Sequence, residues 1–215
     1  METSGAWLKA KSTILLATGN PGKIRELKAI LKPLNLRLLT LADLEGKILE
    51  PEETGADFLA NALIKARHYA QASGYPALAD DSGLVVEALG GRPGVASARY
   101  GGQNIGDAAR NQLLTREMAD ISDRRAKFQA VLALVGHGES YLAWAGELAG
   151  TIADKPVGEG GFGYDPIFLE PSSGLTLAQL TLEEKNRISH RAKAGQALAK
   201  DLAKVDAFLR DYEDK

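Results

Sequence analysis

Two hydrophobic periods follow each other along the first forty residues, and their order predicts an α/β fold. The apolar run at 14–18 predicts a short strand, which the turn-forming residues 19–22 close. Apolar residues then recur at helical spacing over 23–31 until Pro33 stops the pattern, and 37–41 predicts a second strand. This strand–helix–strand start favours an α/β architecture over an all-α or all-β one.

The rest of the chain continues the mixture of helices and strands. A second helix is predicted to begin at Thr54, because Asp57 three residues later resembles a capping box. At the C-terminus the pattern predicts one helix over 190–210, with Ser189 as its N-cap. Between them the pattern predicts strands at 77–81 and 84–89, a helix at 107–118, and a β-hairpin of 127–135 with 141–148.

Composition narrows the class of protein. With 215 residues, 45% hydrophobic and 25% charged, the chain has the composition of one globular domain rather than of a disordered protein. The net charge of −2 gives no reason to expect a nucleic-acid or membrane partner. Because the chain has no cysteine, disulfides, thiolate zinc sites and cysteine nucleophiles are excluded.

The N-terminal residues carry no targeting pattern. Residues 1–12 have no extended apolar region, so we expect a flexible leader there and a single domain over 13–215. The apolar run at 130–135 is far shorter than the ~20 residues that cross a bilayer. We therefore expect a soluble, cytoplasmic protein.

The first candidate site is the turn Thr18-Gly19-Asn20-Pro21-Gly22-Lys23, which leads from a strand into a helix. Helix N-termini bind phosphate through unpaired N–H groups and a partial positive charge, and Lys23 adds a full charge. The turn is not a Walker A loop, because Ile24 stands where Ser or Thr would bind magnesium. The alternative interpretation is a tight β–α turn with a lysine on its surface.

Two acidic clusters are candidates for metal or water chemistry. Asp80-Asp81 follows an apolar run and precedes Ser82, and carboxylates at a strand end can hold Mg²⁺ or orient an attacking water. Because strand residues alternate in direction, only one of the pair is expected to face a ligand. Glu52 and Glu53 belong to the second cluster. The alternative for Asp80-Asp81 is a polar turn between strands, and the alternative for the glutamates is a solvated surface.

Two further segments point to a flat anionic ligand. The glycines around Phe162-Gly163-Tyr164-Asp165 would let an aromatic ring stack on a base, and such stacking is worth about 1–3 kcal/mol. Positive charges over 184–191 gather where the last helix begins, which an anionic partner would explain. The alternative for the first segment is a glycine-rich loop whose aromatic side chains only fill the core. The alternative for the second segment is a solvated basic patch. With the first two candidates, these segments indicate a nucleotide.

Five segments resemble the inosine triphosphate pyrophosphatase family: LLATGNPGKIRELKAIL, EETGADFLANALIKARHYA, ALADDSGLVVEALGGRPGVASARYGG, GGFGYDPIF and EEKNRISHRAKA. They cover nearly the whole chain in the family's order. The resemblance implies an elongated mixed β-sheet flanked by helices, with a nucleotide cleft between two lobes, and usually a homodimer. It also implies magnesium-dependent hydrolysis of ITP, dITP and XTP to the monophosphate and pyrophosphate.

The resemblance also implies roles at the matching positions. Asp81 is expected to be the general base and a magnesium ligand together with Glu52, whose neighbour Glu53 leaves the register open. Lys65 and Asp80 are expected to have secondary roles at most. The expected substrate-binding residues are Thr18, Gly19, Asn20, Pro21, Gly22, Lys23, Ser82, Phe162, Gly163, Tyr164, Asp165, Lys185, His190 and Arg191.

Two other functions stay open at this point. One is a related pyrophosphatase for modified pyrimidine or methylated nucleotides. The Ser189-His190-Arg191 segment and the segment at 162–165 favour a purine substrate over this alternative. The other is a nucleotide-binding regulator that has lost catalysis, although the carboxylates of Glu52, Asp80 and Asp81 are all present.

Overall fold

The computed structural model describes residues 13–102, 105–136 and 138–213. The leader expected at 1–12 lies outside these ranges. The strands are β1 Thr13–Leu16, β2 Arg37–Thr40, β3 Ala77–Val86, β4 Arg125–Val135, β5 Tyr141–Ile152 and β6 Phe168–Leu169. The α-helices are α1 Pro21–Leu31, α2 Phe58–Ser73, α3 Asp107–Glu117, α4 Leu182–Ile188, α5 His190–Lys200 and α6 Leu202–Glu213.

The strands form one mixed sheet in the order β2-β1-β3-β4-β5-β6. β1 runs parallel to both β2 and β3, whereas β5 and β6 are antiparallel. Because parallel neighbours need crossover connections, α1 and α2 follow β1 and β2 along the chain. The predicted α/β class with a mixed sheet and flanking helices is confirmed.

Three predicted element boundaries are wrong. The strands expected at 77–81 and 84–89 are one strand that ends at Val86, because the Ser82-Gly83 pair does not turn the chain, and 87–89 form a 3-10 helix. Just beyond that pair, Leu84 N donates to Ser97 Oγ (2.9 Å). Gly83 is needed here, since a Cβ on it would lie 2.3 Å from Ser97 Oγ. The N-cap of α2 is Asp57, whose carboxylate accepts from Ala60 N, and not Thr54.

The third boundary is at the C-terminus, where the single predicted helix is two helices that meet at Asp201. The Asp201 carboxylate accepts hydrogen bonds from Trp144 Nε1 (3.0 Å) and Lys204 Nζ (2.9 Å). Ser189 is confirmed as the N-cap of α5, because its Oγ accepts from Ala192 N (3.1 Å).

The chain divides into two compact units. Within the described ranges, unit 1 comprises 13–80, 132–144 and 195–213, and unit 2 comprises 81–131 and 145–194. The core of unit 1 includes Leu15, Ala17, Ala66, Tyr69, Ala77 and Val135. The core of unit 2 includes Leu84, Tyr100, Leu114, Phe128, Ile167 and Phe168. Among the described residues, no helix is both long and apolar enough to span a membrane.

Candidate functional site

The turn that leads into α1 is held by its own side chains. Asn20 is the N-cap, and its Oδ1 accepts hydrogen bonds from Gly22 N (2.9 Å) and Lys23 N (3.1 Å). Thr18 Oγ1 in turn accepts from Asn20 N (3.2 Å). The amides of Asn20, Gly22 and Lys23, which were expected to meet a phosphate, are therefore already bonded within the turn, while the residues Gly19 and Asn20 are exposed to solvent.

Lys23 lies in a cluster of opposite charges in unit 1. Its Nζ lies 3.0 Å from Asp80 Oδ2 and donates to Asp80 O (3.2 Å). Lys65 Nζ donates to the same carbonyl (3.0 Å) and to Glu53 Oε1 (2.7 Å). Because Asp80 is fully buried, its carboxylate is stable there only with such partners. The cluster thus contains two ammonium groups and two carboxylates.

The two neighbouring glutamates differ in their surroundings. Glu53 contacts Lys65, and the following loop is held by Gly55 N, which donates to Asn61 Oδ1 (2.7 Å). Glu52 is exposed. Its assignment as a metal ligand stays a prediction, with Glu53 as the alternative.

Within the described ranges, no group of three histidine or acidic residues could hold a metal ion. Mg²⁺ needs fewer protein ligands than this, because it is commonly bound by one or two carboxylates together with substrate phosphates and water. The acidic residues present therefore fit a magnesium ion that comes with a triphosphate.

Unit 2 brings together most of the remaining predicted residues. Asp81 is buried at the start of this unit, and its neighbour Ser82 accepts a hydrogen bond from Arg191 Nη2 (2.7 Å) at Oγ. Arg191 is 4% exposed and lies at the start of α5. The strand and the helix N-terminus that carried separate sequence signals thus meet within one unit.

The loop around Phe162 presents an aromatic ring beside two cations. Lys185 Nζ lies 4.9 Å and Arg191 Cζ 5.2 Å from the centroid of the Phe162 ring, which is half-buried. Asp165 Oδ2 accepts from Phe162 N (2.8 Å) and forms a buried ion pair with Lys185. Gly161 has a φ of +72°, and a Cβ there would lie 2.0 Å from Asp165 Oδ2, so only glycine fits.

Tyr164 and His190 are fixed by contacts of a different kind. The Tyr164 hydroxyl donates to Ser97 O (2.9 Å), and burial raises the pKa of this phenol above its ordinary value. The His190 ring stacks on Phe128, with 4.7 Å between the centroids and 10° between the planes. Both side chains anchor the segments on which they lie, and their contact with a base stays a prediction.

Two positions of α2 lie among the candidate residues of unit 1: Lys65, for which the sequence predicted only a secondary role, and Asn61, which it did not single out. Asn61 and Lys65 belong to the buried stripe of α2, between apolar positions such as Ala62 and Ala66. A charged residue in an apolar stripe is rarely buried without a partner. That interruption was the available signal for Lys65.

The comparisons with known proteins agree with one another. The family model described as Ham1 family matches residues 14–201. A dITP/XTP pyrophosphatase of Thermus thermophilus is 55% identical over 190 residues, covering 86% of this chain and 89% of that protein. Among solved structures, a HAM1 protein from Coxiella burnetii has a TM-score of 0.81 and 43% identity, covering 89% of this chain and 98% of that one.

A further structure, a nucleoside-triphosphatase and dITP/XTP pyrophosphatase from Mycobacterium abscessus, has a TM-score of 0.68 at 42% identity. It covers 87% of this chain and 97% of that one. The similarity therefore extends through both units rather than through one motif.

Proposed function

This chain belongs to the Ham1 family, and from that premise we propose that it hydrolyses the non-standard purine nucleotides ITP, dITP and XTP. The products are the nucleoside monophosphate and pyrophosphate, and the reaction removes these nucleotides before they enter DNA or RNA. The similarity to the T. thermophilus dITP/XTP pyrophosphatase carries the proposal, because it covers 86% of this chain.

The turn into α1 supplies the phosphate-binding chemistry. Thr18 and Asn20 offer side-chain donors beside the exposed Gly19, and the partial positive charge of the helix N-terminus favours an anion there. Lys23 adds a charge that the Asp80 carboxylate holds in place. We expect these groups to stabilise negative charge that develops on the leaving pyrophosphate.

Asp81 is the proposed general base. Its carboxylate accepts a proton from the attacking water, whose oxygen forms a bond to the α-phosphorus. The bond from that phosphorus to the bridging oxygen breaks, and pyrophosphate leaves with the electron pair. A base of this kind typically contributes about 10²–10⁴-fold to the rate.

We propose Mg²⁺ as the cofactor. When bound, Mg²⁺ neutralises charge on the triphosphate. Asp81 and one glutamate of the pair Glu52 and Glu53 are the residues that would hold it. Asp81 is buried and Glu53 is half-buried, so both are shielded more than the exposed Glu52.

Selection of the base would come from unit 2. Phe162 stacks on the purine, while Lys185, His190 and Arg191 donate hydrogen bonds to its 6-oxo group. Lysine and arginine can only donate, so the 6-amino group of adenine cannot accept the hydrogen bonds that a 6-oxo group accepts from them. Because these side chains are buried, the loss of a hydrogen bond to the base costs more than it would in water.

The test is the release of pyrophosphate and orthophosphate from a panel of nucleoside triphosphates, with Mg²⁺ and with EDTA. We expect magnesium-dependent pyrophosphate release that strongly favours ITP, dITP and XTP. Preference for modified pyrimidines would replace the substrate class. Tight binding of ITP with no hydrolysis would indicate a regulator instead.

We also propose that the enzyme is a cytoplasmic homodimer that binds neither nucleic acid nor membrane.

A further inference from the structure

We propose that Asp107 and Asn111 of α3 are positioning residues that hold the base-binding loop in the conformation that receives the purine. The inference rests on the proposed function, since it concerns the loop that carries Phe162. Neither residue drew attention in the sequence, because both lie on a helix that carries none of the predicted site residues.

The two side chains hold both backbone groups of Gly163. Gly163 N donates to Asp107 Oδ2 (2.7 Å), and Asn111 Nδ2 donates to Gly163 O (3.0 Å). Gly163 follows Phe162 directly and has a left-handed φ of +62°. The peptide groups on both sides of Gly163 are therefore fixed to one helix, and with them the direction in which the Phe162 ring leaves the backbone.

The helix offers a rigid base for these bonds. Asn111 is 2% exposed, and Arg110 beside it is buried as well. Arg110 Nη1 donates to Asp107 Oδ1 (2.5 Å), and its Nη2 donates to the carbonyls of Ala98 (2.7 Å) and Ile105 (2.9 Å). The guanidinium thus orients the half-exposed Asp107 toward Gly163.

The loop needs such anchors because of its glycines. Gly158, Gly160, Gly161 and Gly163 lie within six residues, and glycine loses more backbone freedom on ordering than any other residue. Other hydrogen bonds also hold the loop: Phe162 N donates to the Asp165 carboxylate, the Tyr164 hydroxyl donates to Ser97 O, and Gly160 N donates to Ala178 O (3.0 Å). Without the bonds from α3, the peptide groups around Gly163 would have to be ordered when the base binds, which would weaken binding.

The experiment compares Asn111→Ala and the isosteric Asn111→Asp with Gln112→Ala, an exposed neighbour on the same helix. For Asn111→Ala we expect the KM for ITP to rise about tenfold while kcat changes less than about twofold. Asn111→Asp should raise it further, because a carboxylate would face the Gly163 carbonyl. Gln112→Ala should leave both constants unchanged.

Inorganic tripolyphosphate separates positioning from a general loss of structure. This ligand has no base, so its inhibition constant should stay within about twofold of the wild-type value in every folded variant. Thermal denaturation confirms folding. An equal weakening of ITP and tripolyphosphate, or an unchanged KM in both Asn111 variants, would overturn the inference.

The double variant Asp107→Ala with Asn111→Ala adds a second criterion. Because both side chains hold the same residue, the rise in KM should be clearly smaller than the product of the two single effects. Independent, multiplying effects would contradict a shared role. If the wild-type protein hydrolyses no ITP, the proposed function fails. The dissociation constant for ITP, measured at equilibrium for the same variants, then tests the positioning role in place of KM.

Discussion

At the scale of single residues, two ion pairs with buried members lie among the candidate site residues. In the pair of Lys185 with Asp165 both side chains are buried. In the pair of Lys23 with Asp80 the carboxylate is fully buried and the lysine is mostly buried. A buried ion pair is weak evidence for stability, because desolvation offsets most of its attraction. We therefore interpret these pairs as groups kept in place for binding and catalysis.

Asp81→Asn tests the assignment of the general base. The amide cannot accept the proton of water, so we expect kcat for ITP to fall by at least about 10²-fold with an unchanged melting temperature. The same substitution at the exposed Asp120 is the control. Near-normal turnover of the Asp81 variant would remove this residue as the base.

Paired variants decide between the two glutamates. Because Glu53 contacts Lys65 and Glu52 is exposed, we expect Glu53→Gln to raise the Mg²⁺ concentration needed for half-maximal activity by about tenfold. Glu52→Gln should have little effect. The reverse result would restore the ligand that the sequence predicted.

Arg191→Ala addresses selectivity for the base. Loss of a buried donor should narrow the ratio of kcat/KM for ITP over ATP by about tenfold or more, because the 6-oxo group loses a partner that adenine never used. Arg187→Ala, an exposed arginine that pairs with Glu183, is the matched control. An unchanged ratio in the Arg191 variant would place selectivity elsewhere.

At the scale of elements, the start of α2 shows how a helix cap can be misplaced. Thr54 and Asp57 are both capping residues, but Asp57 Oδ1 accepts from Ala60 N (2.8 Å) and Asn61 N donates to Asp57 O (3.1 Å). Residues 54–56 remain outside the helix, where Gly55 packs against Asn61.

The corrected cap has a direct test. Asp57→Ala should lower the free energy of unfolding by about 1 kcal/mol, because the N3 amide of α2 loses its acceptor. Thr54→Ala should change it by less than about 0.5 kcal/mol. Urea denaturation measures both, and a larger cost at Thr54 would show that the helix begins earlier in solution.

At the scale of the whole molecule, one buried phenol links stability to pH. The Tyr100 hydroxyl donates to Glu117 Oε2 (2.6 Å), and burial together with this carboxylate raises the pKa of Tyr100 to about 12. Between its ordinary pKa near 10 and this value, the unfolded chain loses the phenolic proton while the folded protein keeps it. The free energy of unfolding should therefore fall as pH rises through this interval.

Tyr100→Phe should make that fall shallower, although it also removes a hydrogen bond and lowers stability at neutral pH. Urea unfolding at a series of pH values from 9 to 11.5 measures the slope. The same change at the exposed Tyr141 is the control. Parallel slopes for the Tyr100 variant and the wild-type protein would contradict the assignment.

Much of the fold was predictable because local pattern and tertiary structure agree. The first strand and helix, the hairpin of β4 with β5 and the Ser189 cap depend on neighbouring residues, whose spacing the chain shows directly. Segments 77–81 and 84–89 were separated because Ser82-Gly83 is a typical turn pair. In the structure the pair lies within one strand, and Leu84 N donates to Ser97 Oγ, thirteen residues further along the chain.

By itself, the sequence determined the α/β class, the family resemblance and the residue types available for phosphate, metal and base binding. Only the tertiary structure decided that Lys23 and Lys65 converge on Asp80, that Glu53 rather than Glu52 contacts Lys65, and that α3 holds Gly163. Each of these depends on the distance between atoms far apart along the chain. Periodicity and capping act over a few residues, so they carry no information about such distances.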